Sequence, residues 1–180
     1  MSRATGDLSP GEWAVLALCD EEPAHGFGLA QALGPDGPVG RVWSVPRPLV
    51  YRALGRLTEL GLVEDLGTRR SSTGPPKTVF GATGAARARV DAWLDEPVEH
   101  VRDARYLLLL KLLFLDRRGR DATPLAAAQA EAYGAIERRV EERMDAAEGF
   151  DRILLSWRLE SARAALRFLD GLAAVSPRGS

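Results

Sequence analysis

The stretch Leu49-Val50-Tyr51-Arg52-Ala53-Leu54-Gly55-Arg56-Leu57-Thr58-Glu59-Leu60-Gly61 decides how the rest of the chain is read. Val50, Ala53, Leu54, Leu57 and Leu60 recur at helical spacing and mark one face for burial. Pro48, Tyr51, Arg52, Gly55 and Glu59 fall on the opposite face. The spacing predicts a helix that begins after Pro48 and stops at Gly61, a residue suited to the left-handed end of a helix. Beyond it, residues 62–66 read as a short strand, 67–77 as a glycine-proline loop and 78–82 as the returning strand, together a two-stranded hairpin.

Two helices precede this unit. Ser9-Pro10-Gly11-Glu12 is a capping box with proline in the first turn, and Leu8 and Trp13 occupy the staple positions beside it. That helix should stop between Asp20 and Pro23. Residues 24–33 read as a second, shorter helix weakened by two glycines, and 34–38 as a loop. Helix, helix, helix, hairpin is the order of a winged helix-turn-helix. From Thr83, which can cap, the chain reads as helical: one helix ending before Pro97, then 98–116, then a helix capped by Thr123-Pro124 and running to about 147, then 151–174. The last carries Leu154, Trp157, Ser161, Ala164, Phe168 and Leu172 as one stripe, widened by Ile153 and Ala165. The expected fold is mainly α: a winged helix-turn-helix with a two-stranded wing over residues 1–83, and an all-helical dimerisation domain over 84–180.

Composition narrows the function. Of 180 residues, 46% are hydrophobic and 27% charged, the range of a globular domain. No apolar run reaches the roughly 18 residues of a membrane span; the longest, from Tyr106 to Leu115, has Lys111 in its middle. The amino terminus lacks a signal pattern, and the one cysteine, Cys19, cannot form an internal disulfide, so the cytoplasm is the expected location. Net charge is −1, but residues 44–80 hold six basic residues against three acidic ones, while the rest of the chain holds 18 against 22. The basic excess sits on the predicted recognition helix and wing. Two histidines and one cysteine, not at ligand spacing, argue against a metal, and no cofactor or catalytic fingerprint is present, so an enzyme is not expected. Cys19 reads as a small buried hydrophobe and His25 as structural.

The sequence resembles the PadR-like transcriptional regulators. The resemblance lies in Leu8-Ser9-Pro10-Gly11-Glu12, in Pro23-Ala24-His25-Gly26-Phe27, in the tyrosine-containing helix from Leu49 to Leu57 followed by Gly61-Leu62-Val63, and in Pro76-Lys77-Thr78-Val79-Phe80 of the wing. Pro97-Val98-Glu99-His100-Val101-Arg102-Asp103 and the helix with Lys111-Leu112 are similar to the branch with a longer helical carboxyl-terminal region. Arg47-Pro48 stands where the family has a serine or threonine cap. The resemblance implies a homodimer that represses transcription from an inverted-repeat operator, with relief by a small-molecule effector an open option, and a last helix that packs on the partner.

On this reading Arg47, Pro48, Tyr51, Arg52 and Arg56 belong to the DNA-reading helix, where an arginine can grip guanine bidentately. Arg69, Arg70 and Lys77 would give the wing sequence-independent phosphate contacts. Leu154, Trp157, Ser161, Ala164, Phe168 and Leu172 would form the pairing seam. Two alternatives stay open. One is a protein-binding adaptor that keeps the winged-helix shape, favoured by the near-neutral charge and by Glu59 on the reading face. The other is a dedicated small-molecule sensor.

Overall fold

A computed structural model describes residues 8–71 and 74–174, without the side chains of 69–71, 74–75 and 173–174. The amino-terminal residues read above as lacking a signal pattern, and Ser72 and Thr73 of the expected loop, lie outside the described residues. The chain divides into two compact units, residues 1–93 and 94–180.

In the first unit, α1 (Pro10–Glu21) starts as the capping box requires. Ser9 Oγ accepts from Glu12 N, and the Glu12 carboxylate takes the Ser9 N–H at 2.6 Å and the Ser9 hydroxyl at 2.7 Å. The helix buries Ala14 to Cys19 without a break, so it is central to the core. Cys19 is 2% exposed, and burial pushes its thiol up to about 12, as befits an inert hydrophobe.

The second helix is shorter than its sequence suggests. Ala24–His25 form a strand, β1, and α2 spans Gly26–Ala32. An N-cap residue is typically extended, and His25 is (φ −86°, ψ 152°), so the two residues ahead of α2 are free to pair with a strand. The His25 Nδ1 accepts from Gly28 N at 2.7 Å, so the ring caps the helix.

Helix α3 (Arg47–Glu59) begins two residues earlier than Pro48 implied, with Pro46 as N-cap and no side-chain cap. A proline is harmless in a first turn, where its missing N–H would have no partner, so Pro48 lies inside the helix. Val50, Ala53, Leu54 and Leu57 are buried as expected, whereas Leu60, at the helix end, is only half-buried. Gly61 has a positive φ of 67° and ends the turn.

The wing hairpin is longer than its apolar pattern: β2 is Val63–Ser71 and β3 is Gly74–Ala82. A solvent-exposed ribbon owes no alternation of apolar residues, so its backbone ladder continues where the sequence signal has gone. Register shifts interrupt the ladder between Asp65 and Thr68, at Gly67, and between Arg69 and Ser71. With β1 paired to β3 (Ala24 opposite Phe80), the hairpin becomes a three-stranded antiparallel sheet in the order β1-β3-β2. Helix α4 (Gly84–Asp95) follows. Thr83 Oγ1 accepts from Ala86 N and donates to the Gly61 carbonyl at 2.9 Å, and Trp93 stacks on Trp13 with centroids 4.9 Å apart.

In the second unit the segment read as one helix over 98–116 is three: a 3-10 turn (Val101–Asp103), a π turn (Ala104–Leu108) and α5 (Leu109–Arg117). The nearly continuous apolar run there carries no readable period. Val98 is held by the buried amide of Gln129, which accepts from its N–H at 2.7 Å and donates to its carbonyl at 2.9 Å. Lys111 is buried, and its ammonium donates to the Glu96 carbonyl just past α4; burial pushes it down to about 8, against the pull of Glu96 and Asp95. Helix α6 (Thr123–Met144) has Ala122 as N-cap, and Thr123 is not the cap. The neighbouring Asp121 carboxylate accepts the Thr123 N–H at 2.9 Å instead. Helix α7 (Gly149–Ala174) packs Leu155 and Leu159 with Val140 of α6 and with Ala147 in the link between the two helices. Arg163 on α7 bridges Glu137 and Glu141 of α6 at 3.0 and 2.7 Å.

Glu12 also meets α3. Its two carboxylate oxygens take Arg56 Nη1 at 2.7 and 3.0 Å. Burial works to raise the Glu12 pKa, but the Ser9 hydrogen bonds and Arg56 outweigh it and hold the group below its ordinary 4.5. Replacing Glu12 with Ala is expected to cost about 2–4 kcal/mol in urea unfolding, since it removes the cap's partner and strips Arg56 of its carboxylate. A depressed carboxylate stabilises above its ordinary pKa and loses that contribution as it takes a proton. The gap between the two proteins should therefore be full above the ordinary 4.5 and shrink as pH falls below it through the lowered value.

Candidate nucleic-acid interface

The exposed face of α3 carries Arg47, Pro48, Tyr51, Arg52, Gly55 and Glu59, all six solvent-facing. Burial of the opposite face sets this orientation, so the side chains that avoid the core are those whose spacing excluded them from it. Arg47 and Arg52 stand near the helix start, the end of a recognition helix that reaches base edges in a major groove.

The structure adds a residue the sequence analysis did not single out. Phe27, in the first turn of α2, is 41% exposed and gathers cations from two elements. Arg47 of α3 has its guanidinium carbon 5.4 Å from the Phe27 ring centre, and Lys77 of β3 has its ammonium 5.3 Å from it. Arg47 also lies 5.7 Å from the Tyr51 ring. Cation–ring contacts of this kind contribute about 0.5–1 kcal/mol each at exposed sites. Phe27 thus sets the positions of one helix cation and one wing cation. The sequence signal was an aromatic residue off the apolar positions, Leu29 in its own helix and Leu33 at that helix's C-cap. Gly26 completes the arrangement: a Cβ there would lie 2.7 Å from Tyr51 Cε1, so any side chain would push the tyrosine out of place.

The remaining candidates separate. Arg56 donates through Nη1 to Glu12 with its side chain 31% exposed, and so joins α3 to α1. Across the wing, Arg69 is the register partner of Lys77, and Arg70 follows on β2; their side chains are outside the described residues. Among the described residues no cluster of three or more His, Cys, Asp or Glu is placed to hold a metal, and no helix is long and apolar enough to cross a membrane.

The second candidate surface is on α7. Leu155, Leu159, Ala162 and Leu169 are buried, whereas Trp157 is 73% and Phe168 43% exposed, and Ala164 is exposed as well. Leu154, Ser161 and Leu172 are half-buried. Exposed Phe150 and Ile153 extend the stripe one turn towards the helix start. Helix α7 therefore has two apolar faces, one covered by α6 and one open.

No family model matches the chain, and no curated protein matches it. Among solved structures it is similar to Bacillus subtilis PadR in complex with operator DNA, at 21% identity over 89% of this chain and 96% of that one, with a TM-score of 0.43. It is also similar to Bacillus subtilis PadR alone, at 19% identity over 94% and 97%, TM-score 0.40. A third is Streptococcus mutans smu.1604c, at 13% identity over 91% and 98%, TM-score 0.43.

Because Phe27 is exposed, Phe27→Ala should leave the thermal midpoint nearly unchanged. It should weaken binding to duplex DNA by about 1 kcal/mol, roughly fivefold, as Arg47 and Lys77 lose their common support. Fluorescence anisotropy with labelled duplex reads this directly.

Proposed function

We propose that the chain is a PadR-like transcriptional regulator that binds duplex DNA as a homodimer. The observation that carries the reading is the exposed Arg47-Tyr51-Arg52 face of α3, continued onto the wing by Lys77 through Phe27. It is a cationic and aromatic surface on the helix of a winged helix-turn-helix that fits a major groove. In this reading Arg47, Pro48, Tyr51 and Arg52 meet the groove, and Lys77, Arg69 and Arg70 meet phosphates. Arg56 acts through Glu12 by fixing the helix that presents the others. Residues 1–83 read DNA and 84–180 pair two copies, with Leu154, Trp157, Ser161, Ala164, Phe168 and Leu172 at the seam. Two copies related by a twofold axis match an inverted repeat, and occupancy of such an operator represses transcription. Relief by a small-molecule effector and a cytoplasmic location belong to the same reading; catalysis does not.

Two substitutions separate base reading from phosphate contact. Arg52→Ala should cost specific affinity about 1–3 kcal/mol with unchanged circular dichroism. Joint replacement of Arg69 and Arg70 by Ala should weaken operator and random duplex alike and reduce the salt slope by about two. An adaptor that only binds protein would show no steep salt dependence and no effect of Arg52.

The open face of α7 predicts the assembly. Sedimentation should show a dimer at micromolar concentration. Trp157→Ala should weaken pairing by about 2 kcal/mol or more, the scale of a central aromatic at an interface. An unaltered dimer constant would place the pairing surface elsewhere.

A further inference from the structure

The geometry points to Gly55 as the place where the backbone of α3 comes closest to the duplex, a positioning residue that lets Arg52 reach the bases. The inference rests on the DNA-binding reading above and adds to it how the helix sits in the groove.

Glycine inside a helix needs a reason, because only proline is less favourable there. Gly55 lies within α3 (Arg47–Glu59), a full turn from its end. A left-handed backbone is one such reason, but Gly55 is not among the glycines with positive φ, whereas Gly61 is. Close packing is another, but a Cβ built on Gly55 would meet nothing within 4 Å among the described residues. Gly26 shows the contrast, since a Cβ there would lie 2.7 Å from Tyr51 Cε1. Gly171 is also open, but it stands in the last turn of α7, where helices fray. Gly55 thus weakens its helix with no gain to the fold. A local rule broken without a structural gain marks a functional position.

Its place on the helix says which function. Residues three and four apart are vertical neighbours on a helix. Arg52 therefore stands between Pro48 and Gly55 along the exposed face, with Glu59 one turn beyond, and all four are exposed. Helix side chains lean towards the amino terminus, so Arg52 leans away from Gly55 and leaves it uncovered. The nearby Thr58 hydroxyl is tied back to the Leu54 carbonyl at 2.9 Å. The line through Pro48, Arg52 and Gly55 is then one long cationic side chain between two low positions. A major groove about 12 Å wide scarcely admits a helix that is roughly 10–12 Å across with its side chains. Leaving out the side chain on the groove side lets the helix axis move in. Arg52, about 4.5 Å along the axis from Gly55, then gains reach towards a base edge.

The test is fluorescence anisotropy of the full chain with the duplex that the unaltered protein enriches from a random pool, beside thermal melting. Gly55→Ala should raise the melting midpoint by about 2–4 °C, since alanine is the better helix former at a solvated position. The same variant should weaken duplex binding about fivefold or more, the scale of an added methyl in a filled contact. Gly55→Met, also a good helix former but longer, should weaken it roughly twentyfold or more. Gly134→Ala, inside α6, is the control, because a Cβ there would meet Arg138 Nη1 at an ordinary 3.5 Å. That variant should melt higher and bind the duplex as the parent does, so that a stiffer chain is not by itself a weaker binder. Unchanged or tighter binding by both Gly55 variants would overturn the inference. So would a lowered midpoint in Gly55→Ala, which would assign the glycine to the fold, or an equal loss of binding in Gly134→Ala. In each of these results the parent still binds, and the DNA-binding reading stands. A parent that enriches no duplex removes that reading, and this inference falls with it.

Discussion

The carboxylate of Glu12 is the point from which the amino-terminal unit is organised. It closes the capping box of α1 through the Ser9 N–H and hydroxyl, and it accepts Arg56 Nη1 with both oxygens. One buried charge therefore completes the start of the central helix and ties that helix to the last turn of α3. Burying a carboxylate costs several kcal/mol unless its lone pairs are filled, and here four donor contacts fill them. Once α3 is held at Arg56 and its apolar face is in the core, Tyr51 and Arg52 can only face outward.

The outward face is then refined by smaller contacts. Gly26 makes room for Tyr51, and Phe27, one residue later, draws Arg47 and Lys77 to a common ring. Like charges on two different elements would otherwise drift apart in solvent. The Phe27 ring gives both cations a common aromatic partner, at 5.4 and 5.3 Å from its centre.

How much of this was legible follows from the physics of each signal. The capping box, α3 and the order of elements were readable because local hydrogen bonding and a 3.6-residue period leave marks in sequence. The strand Ala24–His25 was not, since two residues have no period and their pairing with β3 is a long-range event. Pro48 misdirected the start of α3 because a proline marks a first turn as readily as a boundary. Arg56 looked like its neighbours Arg47 and Arg52, and only the fold brings Glu12, 44 residues away, to it. On α7 the stripe from Leu154 to Leu172 was visible, but its relation to the core was not. Leu155 and Leu159 face α6 from the other side, so one helix carries two apolar faces that a single stripe cannot separate.

The central claim is that the exposed face of α3 reads duplex DNA in two symmetric copies. The most direct measurement is selection of bound sequences from a random duplex pool by the full-length protein. The account predicts an inverted repeat with half-site centres about one helical turn, roughly 34 Å, apart. Recovery of no enriched sequence, or of a single asymmetric site, would contradict it.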